Sequence, residues 1–215
     1  MHRTPSVKFT ALALLALSSS MACGTGPTYI EQTELYFALA DDRTYTYEAE
    51  GGLTETHEYT LREEDERVFD RLVRRSGFLD DDTTFSLQPT DRALLIVRLH
   101  DCVTLCGELS DPIEIAERPL ENGASKSTDV TVSVTRNGED DGTREERHTF
   151  AVGEETEITV PAGTFTAHTI LWSRTVDGVA SSASLTFAPE EGFVAVESFA
   201  GVRYELASVD GASPE

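Results

Sequence analysis

Apolar and polar residues alternate through much of the second half of the chain. From Glu157 to Val209, β-branched and aromatic runs are cut by three turn signals: Val160-Pro161-Ala162-Gly163, Asp177-Gly178 and Pro189-Glu190-Glu191-Gly192. Short runs of period 2 between turn residues predict antiparallel strands in a meander. Proline presets φ in the first turn and Gly163 closes it with φ > 0, while Asp177-Gly178 is the two-residue signal of a type I′ hairpin. Ile170, Trp172 and Val176 fall on one face of their strand. Ala183, Leu185 and Phe187 do so on the next, Phe193, Ala195 and Phe199 on the one after, and Val202, Tyr204 and Leu206 on the last. Each strand has one apolar face and one small or polar face, the pattern of a sheet buried on one side.

The first half is read the same way. Leu35 to Ala49 opens with Tyr45, Tyr47 and Ala49 in phase, and the tyrosines are assigned to packing. Thr54 to Leu61 returns after Gly51-Gly52. Arg67 to Arg75 fits a helix through Val68, Leu72 and Arg75 or a twisted strand, and is taken as a strand because its neighbours are strands; Phe78 to Thr84 is a loop, and Arg92 to His100 a central strand buried on both faces. Asp111 to Leu120 is a further strand and Glu121 to Ser127 a loop. Asp129 to Thr135 pairs with Arg144 to Val152 around the turn Arg136 to Gly142, a solvated tip without the spaced ligands of a calcium loop. The expected fold is all-β, a mainly antiparallel meander of about ten to twelve strands curved into a half-barrel or open barrel.

The N-terminus changes the picture. Arg3 and Lys8 precede the apolar run Phe9–Leu17, which is too short to span a bilayer, so residues 1–22 are expected to be a signal peptide. Ser20-Met21-Ala22 before Cys23 looks like a lipobox, with Ser20 where leucine is usual. Cys23 is the expected acylation site, and cleavage to a secreted protein is the alternative. Gly24 in place of aspartate favours the outer membrane by analogy with other lipoproteins. Residues 23–33 then form a tether, 34–209 a single β domain and 210–215 a frayed tail.

Charge narrows the partners. The chain has a formal charge of −22, with 17 basic and 39 acidic residues. Removing Arg3 and Lys8 with the leader leaves 15 basic residues against 39, a mature charge of −24. Such a surface disfavours nucleic acid and anionic headgroups, so membrane attachment would come from acyl chains on Cys23.

Candidate chemistry is sparse. Cys102 and Cys106 lie four apart after a strand, and a local disulfide is the favoured reading in an oxidising compartment. A metal site would need more than these cysteines and His100. His57, His100, His148 and His168 are scattered along presumed strands and are expected to be surface or half-buried. There is no nucleophile elbow, no zincin motif and no dinucleotide loop, so no catalytic, metal or cofactor site is assigned.

Ile158-Thr-Val-Pro-Ala-Gly-Thr-Phe165 and Phe187-Ala-Pro-Glu-Glu-Gly-Phe-Val194 together resemble a signature of bacterial envelope proteins. That group is similar to the curved β-sheets of the lipoprotein-carrier (Lol-type) proteins. Leu35 to Tyr47 resembles the opening of such chains, with Ala38 and Asp42 where proline and glycine are usual. The resemblance spans roughly Leu35 to Leu206 and implies fold and location, with no site residue carried across. It implies a non-enzymatic envelope lipoprotein that holds a lipid or other hydrophobic ligand. The alternatives are an interaction module for another envelope protein, with a filled core, and a hydrolase with an unrecognised site.

Overall fold

In the computed structural model the described residues are 37, 39, 43–61, 68–75, 83–90, 92–101, 105–189 and 191–210. Thirteen strands follow in chain order. They are β1 (Thr44–Ala49), β2 (Leu53–Leu61), β3 (Phe69–Arg75), β4 (Thr83–Pro89), β5 (Ala93–Asp101), β6 (Leu105–Leu109) and β7 (Ile113–Glu117). The rest are β8 (Ser125–Arg136), β9 (Glu139–Val160), β10 (Gly163–Val176), β11 (Val179–Ala188), β12 (Gly192–Glu197) and β13 (Arg203–Asp210). The sheet runs β4-β3-β2-β1-β13-β12-β11-β10-β9-β8-β6-β5 and closes through the β4–β5 pairing. β7 adds to β5 beside β6, outside the ring. The all-β antiparallel class expected from the alternation is what forms, and the sheet goes beyond an open one by joining its edges.

Alternation decides which way each strand faces. On β8, Val130, Val132 and Val134 are buried while Asp129 and Ser133 are exposed. The barrel is therefore apolar inside and polar outside, the reverse of a membrane-spanning barrel. Asp177-Gly178 forms the expected tight turn, with φ of 49° and 81°. Asn137-Gly138 makes a second turn of the same type, at 51° and 81°. Arg136 pairs with Glu139, so the long turn expected from Arg136 to Gly142 is a two-residue hairpin with its strands extended.

Four other expectations are corrected. β4 begins at Thr83 in a stretch read as loop, and β8 begins at Ser125 in another. Phe199 lies in the turn after β12 rather than on its inward face. On β5, Ala93, Leu94 and Ile96 are buried, but Leu95, Val97 and Leu99 are only half-buried.

A ring of twelve strands is wider than its own wall residues fill when round. Two devices close the space. The ring is flattened: Phe85 on β4 and Trp172 on β10, five strands apart, have ring centroids 6.4 Å from each other. The end at which β1 begins is plugged from outside the sheet. Phe37 and Leu39 are buried there, with Phe37 5.6 Å from Phe187 between ring centroids. The tip of the β9–β10 hairpin joins them. Its register shifts between His168 and Ile170, and a Cβ on Gly153 would lie 3.0 Å from the Thr169 carbonyl. Past that point the hairpin reaches the neighbouring wall: the Ala162 amide donates to the Leu206 carbonyl at 2.9 Å, and Val160 and Ala167 join the core. The Val-Pro-Ala-Gly-Thr-Phe stretch is thus a lid on one end of the barrel.

Candidate functional site

The inner wall carries two polar stations at Glu-x-His sequences. On β9, Glu146, His148, Phe150 and Val152 face inward in period 2, and the alternate Glu145 and Arg147 are exposed. Glu146 is buried and holds three partners. Arg174 on β10 donates to it from Nε and Nη2 at 2.7 Å each, and Arg144 donates from Nε at 2.5 Å. His148 Nε2 lies 2.9 Å from Oε2, the oxygen that Arg174 Nε also reaches. Trp172 Nε1 donates to His148 Nδ1 at 3.1 Å. An indole nitrogen only donates, so Nδ1 is the acceptor and Nε2 carries the proton given to Glu146. Burial pushes the Glu146 carboxyl up, but the hydrogen bonds from His148, Arg174 and Arg144 outweigh it and hold it well below the usual carboxylate range.

The second station is on β2, where Glu55, His57 and Tyr59 face inward and are buried. Glu55 Oε1 is 2.6 Å from His57 Nε2. The His57 ring packs on Tyr47 with centroids 4.4 Å apart. Tyr47 Oη donates to the Phe193 carbonyl at 2.7 Å. Burial pushes the Tyr59 hydroxyl up to about 12, with Arg71 opposing the shift. β2 and β9 are six strands apart in either direction around the ring, so the stations occupy opposite walls.

Between them, toward the end holding the Gly51-Gly52, Asp177-Gly178 and Ser198–Val202 turns, lies a cavity of about 400 Å³. Its volume is within the range of small-molecule sites. Phe85, Trp172, Leu185, Val196 and Phe199 give it a mostly apolar wall, and Glu55 and Arg71 supply charge. Phe199 in the β12–β13 turn stands 4.8 Å from Trp172 in an edge-to-face contact at the rim. Arg71 sits deeper, with its guanidinium 4.9 Å over the Phe85 ring. A second cavity of about 320 Å³ lies between β7 and the start of β8, beside the Lys126–Glu114 ion pair at 3.4 Å.

The sequence-predicted positions fare unevenly. Cys23 and Cys102 lie outside the described residues. Cys106 belongs to β6, where the register sets it opposite His100. Three of the four histidines lie inside rather than at the surface: His57 and His148 are fully buried, and His168 is 8% exposed with Nδ1 3.0 Å from the Gly153 carbonyl, while the His100 side chain lies outside the described residues. The missed signal was phase. Glu55 and His57 alternate in step with Tyr59, and Glu146 and His148 with Phe150, so the polar residues share the apolar face. Among the described residues no three metal-ligating side chains gather. His148 has both nitrogens engaged and offers no lone pair to a ligand in the cavity.

The chain matches no protein-family model and no curated protein. Solved structures do resemble it. A proposed exported protein with a YMCC-like fold from Bacteroides fragilis superposes with a TM-score of 0.54 at 13% identity, over 82% of this chain and 99% of that one. A proposed lipoprotein from Parabacteroides distasonis gives a TM-score of 0.51 at 10% identity, over 81% and 98%. At this identity the likeness establishes the fold, and neither protein is described with a catalytic activity.

Proposed function

We propose that this chain is an exported, non-enzymatic lipoprotein, held at the outer membrane by acyl chains on Cys23, whose barrel mouth binds a small apolar ligand. The cavity of about 400 Å³ beside Trp172 carries the binding half of this reading. The leader, the lipobox and the exported and lipoprotein descriptions of the structural neighbours support the anchoring half. The interior below the cavity is packed with Tyr45, Tyr47, Phe37, Phe150 and Phe187, and this filling by described residues favours a small ligand over the several chains of a whole lipoprotein. The half-barrel carrier comparison therefore transfers as a smaller site at one end. A Cys102–Cys106 bridge remains part of the proposal for the β5–β6 connection.

The test uses soluble Cys23→Ala protein and the neutral apolar dye N-phenyl-1-naphthylamine. Saturable binding that Ala183→Leu weakens, by filling the cavity wall, is the expected result. Binding that is absent or indifferent to Ala183→Leu would contradict the ligand reading and favour an interaction module with a filled core.

A further inference from the structure

We infer that the mouth cavity selects a single-chain carboxylate, bound with its anionic head inward on Arg71 and its apolar body against Trp172; this rests on the ligand reading above. Depth is set by register. On β2, Leu53, Glu55, His57 and Tyr59 run from the mouth inward, and Tyr59 is paired with Arg71 on β3. Arg71 is in turn paired with Phe85 on β4. The guanidinium therefore lies at the floor, and Leu53 and Phe199 stand at the rim, both exposed.

The floor supplies a donor. The Arg71 guanidinium hydrogen-bonds the Tyr59 hydroxyl, but its Nε is buried and has no hydrogen-bond partner among the described residues. A buried donor left unpaired is costly, and a ligand oxygen would relieve it. The other charge facing the cavity is already engaged. Glu55 is held by His57 Nε2 at 2.6 Å. This carboxylate also sets the charge of the ligand. One guanidinium matches a monoanion, whereas a phosphate dianion would bring a second negative charge beside Glu55. Above Arg71 the walls are apolar: Trp172, Leu185 and Val196. A head of one charge below and an apolar body above describes an amphipathic carboxylate.

Trp172 is the only tryptophan in the chain, so its emission reports occupancy directly. Full-length Cys23→Ala protein is titrated with decanoate, decanol and decyltrimethylammonium, three probes with one chain and different heads. Decanoate is expected to shift the emission saturably and to bind about tenfold or more tighter than the other two, the worth of one charge-assisted hydrogen bond. Arg71→Met should erase that preference while leaving decanol binding in place. Should Arg71→Met fail to fold by circular dichroism, Arg71→Lys, which keeps charge but loses Nε, should reduce the preference several-fold. Equal binding of the three heads, or a preference that survives these substitutions, would overturn the head-group assignment and leave the apolar site standing. No saturable shift with any probe would overturn the site itself.

Discussion

Trp172 donates its indole proton to His148 Nδ1 at 3.1 Å, and so fixes a fully buried histidine as the neutral tautomer that donates to Glu146. The contact joins the apolar cavity wall to the charged station on β9. It also leaves neither His148 ring nitrogen free for a ligand. Replacing Trp172 with Phe keeps most of the apolar volume and removes the donor. The variant should lose about 1–3 kcal/mol, the cost of an unsatisfied buried acceptor, measured by urea unfolding with circular dichroism.

Glu146 should govern the acid limb of stability. Its folded pKa lies below its unfolded value of 4.5. The stabilisation is therefore complete above that value and is lost as pH falls through and below it toward the folded pKa. Glu146→Gln removes the charge that Arg144, Arg174 and His148 surround, and should cost about 3 kcal/mol at pH 7. The variant should also lose less stability than wild type between pH 7 and pH 3. Parallel pH profiles from urea titrations would contradict this role.

The lid makes a separate prediction. Val160 is 5% exposed at the hairpin tip, whereas Val179 in another hairpin is 71% exposed. Val160→Ala removes two buried methyl groups and should cost about 1–2 kcal/mol. Val179→Ala should fall within about 0.5 kcal/mol of wild type. Urea midpoints of the pair test whether the Val-Pro-Ala-Gly-Thr-Phe turn is packed or only a surface hairpin.

Local features of this fold were legible in the residues, and long-range ones were not. Asp177-Gly178 and the Pro161 turn could be read because their backbone demands are met within four residues. The inward faces of β10, β11 and β13 followed from period 2. Closure was not readable, because it needs β1 to pair with β13 from the other end of the chain, and because β4 (Thr-Thr-Phe-Ser-Leu-Gln-Pro) is half polar and does not read as a strand. The stations were missed for a related reason. Histidine and glutamate are usually outside, and only their phase with Tyr59 and Phe150 marks them as inward. The cavity draws Leu53, Arg71, Phe85, Trp172 and Phe199 from five separate stretches of chain, so only the closed sheet assembles it.

β1 runs from the plugged end toward the cavity end, so the chain enters the barrel opposite the cavity mouth. The most direct test is intact mass and membrane fractionation of wild type against Cys23→Ala in a bacterial host. An anchored lipoprotein gives a triacylated wild type in the outer-membrane fraction and a soluble variant. Soluble protein cleaved after Ala22 in both would contradict anchoring and make the chain a secreted barrel with a free thiol at Cys23.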